Sequence, residues 1–122
     1  MSHAINWFEI PASDFERAKK FYETVLAIEM MLPSPEMKYA MFPADMKNGE
    51  IGGGLVEEAG YTPAQTGSLI YLNGGDDLAV PLSRVEAAGG KIIRQKTSIG
   101  PNGFMAEFLD TEGNRVAFHS MK

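Results

Sequence analysis

Apolar and polar positions along the chain follow two alternating periods. Residues 4–10, AINWFEI, mix aromatic and β-branched side chains and stop at Pro11, which predicts a strand. In the following SDFERAKKFYETVLAIEM, the apolar Phe15, Ala18, Phe21, Tyr22, Val25 and Leu26 recur at steps of three and four. That spacing is one face of a helix, with Ser13 or Asp14 available as N-cap and Glu16 in the first turn. From about Met30 to Val56 the pattern shortens into three strands, punctuated by PSP, by an NGE turn and by GGG; KYAMFPA has the clearest strand composition. A loop, EEAGYTPAQTG, leads to a second strand-like run, SLIYLNGG. A second helix is predicted over DDLAVPLSRVEAAGG, with Asp77 as cap, Pro81 near its first turn and Gly89 or Gly90 as its stop. KIIRQKTSI, FMAEFLD and NRVAFHS then predict three more strands.

The order of elements therefore occurs twice. Asp77 lies 77 − 14 = 63 positions after Asp14, and Ile70 lies 70 − 7 = 63 after Trp7, so one offset lays strand on strand and helix on helix. Few residues are identical between the halves, and the repeat rests on element order and matching caps. The expectation is a single α+β domain of two βαβββ modules, about 1–58 and 67–122. A helix across a mostly antiparallel sheet covers one face and leaves the other free to curve into a cup, the natural place for a ligand.

Composition narrows the partners. The chain has 122 residues, 44% of them hydrophobic, enough for one real core. Sixteen acids against eleven bases give a net charge of −5, the wrong sign for gripping phosphates, so nucleic acid is not an expected partner. The absence of cysteine excludes disulfides, thiolate metal sites and a cysteine nucleophile. The N-terminal MSHAINWFEIPASD has no apolar export segment, and no run approaches the roughly 18 apolar residues of a membrane span. A cytoplasmic protein without a membrane partner is expected.

WFEIPASDFERAKKFYETVL, RVEAAGGKI and FLDTEGNRVAF, in that order and spacing, resemble the vicinal oxygen chelate superfamily, which includes glyoxalase I, bleomycin resistance proteins and extradiol dioxygenases. The resemblance spans nearly the whole chain. It implies two modules around a cup, often a homodimer, and in the family's metalloenzymes a divalent ion held by one side chain from each of four strands. Its Lewis-acid chemistry binds substrate through neighbouring oxygens. The implied ligand positions carry no donors here. Seven residues before the capping acid stands Trp7, whose indole offers no lone pair. Nineteen before Gly89 stands Ile70, and four beyond Gly113 stands Ala117. The repeat sets Gly54 against Ala117; a small shift would substitute Glu57, but one carboxylate does not make a divalent site. No metal and no other cofactor is expected.

Strand alternation extends the reading. If Ala117 faces the cup, Arg115 and His119 face it too, while Val116 and Phe118 pack under the helix; Trp7 and Glu9 face it, with Phe8 and Ile10 in the core. Ile70 and Leu72 are expected to join them, giving aromatic and aliphatic walls with a few polar heads. Bland alternatives stand beside each residue. His119 suits a strand end at the rim, Trp7 suits the core, Glu9 suits solvent, and Arg115 suits a turn pair with Glu112 or Asp110. Gly52, Gly53 and Gly54 suit close strand packing better than a phosphate loop. The loop EEAGYTPAQTG reads as a mobile rim or lid, and the methionines Met30, Met31, Met37, Met41 and Met46 could plug a cavity. Three functions remain open at this point. The first is a metal-free protein holding an aromatic or cationic small molecule, and the second a lyase, isomerase or dioxygenase using a metal or Glu9 with His119. The third is an interaction domain with a filled cup.

Overall fold

The computed structural model describes residues 3–122; the first two positions of the span read as module one lie outside them. Strand β1 (Trp7–Pro11) is followed by helix α1 (Phe15–Leu26), β2 (Tyr39–Met41) and β3 (Gly52–Val56). The second half contains β4 (Tyr71–Asn73), a single helical turn α2 (Ala79–Leu82), β5 (Lys91–Ser98), β6 (Phe104–Leu109) and β7 (Arg115–Ser120). The strands form two sheets, ordered β1-β3-β2 and β4-β7-β6-β5. In each, the first strand pairs parallel with the last, and the remaining pairs are antiparallel.

Helix α1 forms where the 3.6 period places it. Asp14 is its N-cap and accepts from the Arg17 N–H, and Phe15, Ala18, Phe21, Tyr22 and Val25 turn inward. It stops at Ala27, whose φ of 55° puts a non-glycine residue in the left-handed region. The core runs without a break through both halves. Phe21 packs on Phe108 at 6.0 Å between ring centroids, Tyr22 edge-on against Phe42 at 5.5 Å, and Phe108 on Phe118 at 4.7 Å.

Two predicted elements are shorter than their patterns. The first of the three strands expected over 30–56 is reduced to one bridge between Met31 and Met41, because PSP follows at once and removes the donors a ladder needs. The second helix is regular only over Ala79–Leu82; beyond it the backbone bonds mix three- and four-residue steps, Arg84 N–H to Pro81 O and Ala88 N–H to Arg84 O among them. The chain stops at the glycine pair as expected. The methionines do not plug a cavity as a group: Met30 is buried, whereas Met31, Met37 and Met46 are exposed.

The FLDTEGN segment is a clasp between the halves. Asp110 accepts from the Tyr22 hydroxyl at 2.6 Å and from the Asn114 side chain at 3.0 Å, while Asn114 donates to Pro11 O at 2.7 Å. Glu112 accepts from the Ser13 and Asp14 N–H groups at 3.0 and 2.7 Å and from Arg17 at 2.8 Å, so a side chain of the second half caps the helix of the first. Burial by itself would raise the Glu112 carboxyl, but hydrogen bonds from Arg17, Asp14, Thr111 and Ser13 outweigh it and hold the carboxyl at about 2. Burial pushes Asp110 up despite the bonds it accepts, and pushes the Tyr22 phenol well above its ordinary value.

Candidate functional site

Each sheet has one face against the helices and one turned away from them. On β1, Ile10 is fully buried in the core and Phe8 packs against it, so Trp7 and Glu9 take the open face. On β7, Val116 and Phe118 are core, so Arg115, Ala117 and His119 are open-face residues.

Strand β4 is where alternation read from the repeat fails. Leu72 is 6% exposed within the core and pairs with Phe118, and Ile70 packs against the same cluster. Both point away from the open face, contrary to the expected alternation, although Leu72 lines the hollow that also holds His119 and Ile70 the cleft that also holds Glu9. Tyr71 and Asn73, paired with Ala117 and His119, hold that face instead. The cause is a one-residue slip. Core positions Phe8 and Ile10 match Ile70 and Leu72 at 70 − 8 = 72 − 10 = 62, whereas the acids Asp14 and Asp77 differ by 63. The strand-to-helix connection therefore holds one more residue in the second half, and a slip of one turns a strand's side chains to the other face. Gly74 makes room for it: a Cβ there would lie 2.6 Å from Leu78 and 2.9 Å from the His119 carbonyl oxygen.

The open face of the first sheet is an ordered polar chain over a glycine floor. Trp7 Nε1 donates to the Tyr39 hydroxyl at 2.8 Å, and that hydroxyl donates to Glu9 Oε2 at 2.8 Å. Gly52 and Gly54 lie opposite Trp7 and Glu9. A Cβ on Gly52 would reach the Trp7 ring at 2.9 Å, and one on Gly54 would overlap the Tyr39 hydroxyl. The glycine run is thus a seat for two aromatic rings. Burial leads the upward shift of the Tyr39 phenol, and the Glu9 charge leads that of the Tyr61 phenol. Both hydroxyls stay protonated at neutral pH and available as donors to Glu9.

On the second sheet, Glu107 is 5% exposed and lies across from Ala117 on one side and Arg94 on the other. Arg115 Nε donates to Glu107 Oε1 at 2.7 Å, and Arg94 Nε stands 3.5 Å from Oε2. Arg115 therefore pairs across the sheet, not with Glu112 or Asp110 around the turn. A hollow of about 650 Å³ lies beside this cluster, lined by Tyr71, Asn73, Met105 and His119 among others. His119 Nε2 is 2.7 Å from the Asn102 carbonyl oxygen. Glu9, the other member of the alternative acid–base pair, lines a different cleft from His119.

A divalent ion does not fit the donors present. Trp7, Gly54 and Ala117 offer it no side-chain donor, and the slip puts neither Ile70 nor a histidine on the open face of β4. Glu57, the fallback ligand, is engaged elsewhere: it accepts from the Phe15 N–H at 2.8 Å, at the start of α1, and from Lys38. Among the described residues no three His, Cys, Asp or Glu side chains form a group able to hold a metal. The loop 57–70 is tied down, since Ala64 N–H donates to Asn114 and Ala64 O accepts from the Arg115 N–H.

Residues missed by the sequence reading are Tyr39, Tyr61, Tyr71, Arg94 and Glu107. Tyr39 could have been found by alternation within KYAMFPA; Tyr71 was hidden by the slip.

Two modular α/β layers with helices on one face and a ligand-sized hollow on the other define a protein of the glyoxalase and bleomycin resistance class. The model of the Glyoxalase/Bleomycin resistance protein/Dioxygenase superfamily matches residues 4–118, and the chain belongs to that family. It is 35% identical over 120 residues to a glyoxylase-like domain-containing protein of Didymella fabae, covering 93% of this chain and 90% of that one. Its fold is similar to a glyoxalase/bleomycin resistance protein from Albidiferax ferrireducens (TM-score 0.76, 16% identity, 98% and 100% of the two chains). A family enzyme from Burkholderia phytofirmans gives a TM-score of 0.72 at 16% identity over 96% and 98%.

Proposed function

We propose that this protein is a metal-free small-molecule binder, holding an organic ligand on the open face of its sheets. The observation that carries the reading is the exchange of donors for rings and carbon. Trp7 and Ala117 stand at positions that the resemblance gives to metal ligands, and Trp7 and Tyr39 lie over glycines. Aromatic walls with a carboxylate at Glu9 suit a planar or cationic guest, through stacking and cation–π attraction. The overall charge of −5 favours the same guests. In this reading two copies pair as a homodimer, as the family resemblance implies.

Trp7 is the single tryptophan, so it reports on its own site. Titration with aromatic cations, followed by calorimetry and by Trp7 emission, is expected to give saturable heat and a fluorescence change with one midpoint. Absence of both at millimolar ligand removes the proposal. Glu9 and His119 line separate clefts, so this reading does not use them as an acid–base pair.

A further inference from the structure

A cleft of about 220 Å³ opens between β1 and the loop 57–70. Glu9, Ile10 and Pro11 line it from β1, Thr62, Thr66 and Ser68 from the loop, and Arg115 from β7. We propose that this cleft takes a small zwitterion, its cationic end against Glu9 and its anionic end against Arg115. The proposal rests on the reading of the open face as a ligand site and narrows it to a substrate class.

Three observations carry it. First, the charges are held in place. Glu9 is fixed by the Tyr39 hydroxyl at 2.8 Å. Arg115 is fixed by Glu107, which takes its Nε and Nη2 on one oxygen, while the arginine side chain stays 43% exposed. A guanidinium gripped on one edge can offer the other to a carboxylate without first losing its rotamer freedom. Second, the charges balance. Arg94 of β5 and Arg115 of β7 against Glu107 leave one positive charge on the second sheet, and Glu9 supplies one negative charge on β1. A pure cation is opposed at one end and a pure anion at the other, whereas a zwitterion is matched at both. Third, the walls suit a small polar body. The residues Thr62, Thr66 and Ser68, each with a hydroxyl, border the cleft. The volume, 220 Å³, equals about seven waters at ~30 Å³ each and falls below the roughly 300 Å³ at which drug-sized pockets begin.

The test uses the whole protein and a series of ω-amino acids: 4-aminobutyrate, 5-aminopentanoate and 6-aminohexanoate. Each is titrated by calorimetry beside the alkylamine and the carboxylic acid of equal chain length. At least one zwitterion is expected to bind about tenfold or more tightly than both of its single-charge analogues. Glu9→Gln and Arg115→Lys are each expected to weaken it about tenfold or more, as loss of a charge-assisted hydrogen bond would. Glu9 is exposed, so its variant tests the cleft without disturbing the core. Equal binding of an alkylamine, or a zwitterion affinity unchanged by Glu9→Gln, overturns the inference. If aromatic cations bind near Trp7 while no zwitterion does, the inference falls and the broader ligand-site proposal stands. If neither class binds, both fall.

Discussion

Neutralising Glu112 removes the charge that joins the two halves at the start of α1, and its effect can be worked from the structure. The Glu112 side chain is 0% exposed, and its partner Arg17 is 51% exposed. Lowering this carboxyl from 4.5 to about 2 corresponds to roughly 3 kcal/mol of preference for the charged form in the fold. Solvent screening at the half-exposed arginine reduces the usable part to about 2 kcal/mol. The folded value lies below the unfolded one, so this stability is fully present above about pH 4.5 and is lost as pH falls toward 2. Glu112→Gln is therefore expected to be about 2 kcal/mol less stable than the parent at pH 7, a fall of roughly 6–10 °C in Tm for a domain of this size. The gap should close as pH falls from 5 to 2.5. Urea unfolding at several pH values measures it, with equal slopes confirming that only stability has changed. Arg17→Met and the double variant complete a cycle that isolates the pair. A deficit of the same size at pH 3 and pH 7 would refute the reasoning, because it would show that shape at the helix start matters and charge does not.

Tyr22→Phe deletes the buried hydroxyl that donates to Asp110 at 2.6 Å, and is expected to cost about 1–3 kcal/mol by thermal unfolding. Gly54→Ala drives a Cβ into the Tyr39 hydroxyl, so a loss of about 1–3 kcal/mol should come with altered Trp7 emission; an unchanged spectrum would mean that the ring can move aside freely. Tyr39→Phe breaks the link between Trp7 and Glu9 and is expected to shift Trp7 emission while leaving the unfolding midpoint within about 1 kcal/mol of the parent. Elemental analysis of protein purified without chelators is expected to find no stoichiometric nickel, zinc, iron or manganese, and one equivalent of any of them would show that donors other than those identified here bind metal.

Much of the fold was legible because its signals are local. The apolar spacing from Phe15 to Leu26 and the acid at Asp14 specify α1, and period-two alternation in RVAFHS sorts Val116 and Phe118 from Ala117 and His119. The opening strand gave up Trp7 and Glu9 the same way. The short elements were less legible. A proline pair cut the strand at Met31 to one bridge, and beyond Leu82 the second helix loses regular four-residue bonding before the glycine pair is reached. Each competing residue was visible in the sequence, but which effect prevails depends on packing that the sequence does not display.

What the sequence determined by itself is the family, the order of elements and the lack of donors at Trp7, Gly54 and Ala117, since residue identity settles what can coordinate an ion. Only the tertiary structure decided which face of β4 is open, because one added residue in a connection reverses every side chain of a strand and leaves its composition unchanged. It also decided that Asp110, Glu112 and Asn114 clasp the two halves, and that Glu107 braces Arg115 across from Glu9. Those partners are 88 or more residues apart for Tyr22 with Asp110 and for Asp14 with Glu112, and no local pattern can pair charges over such a separation until the chain has folded.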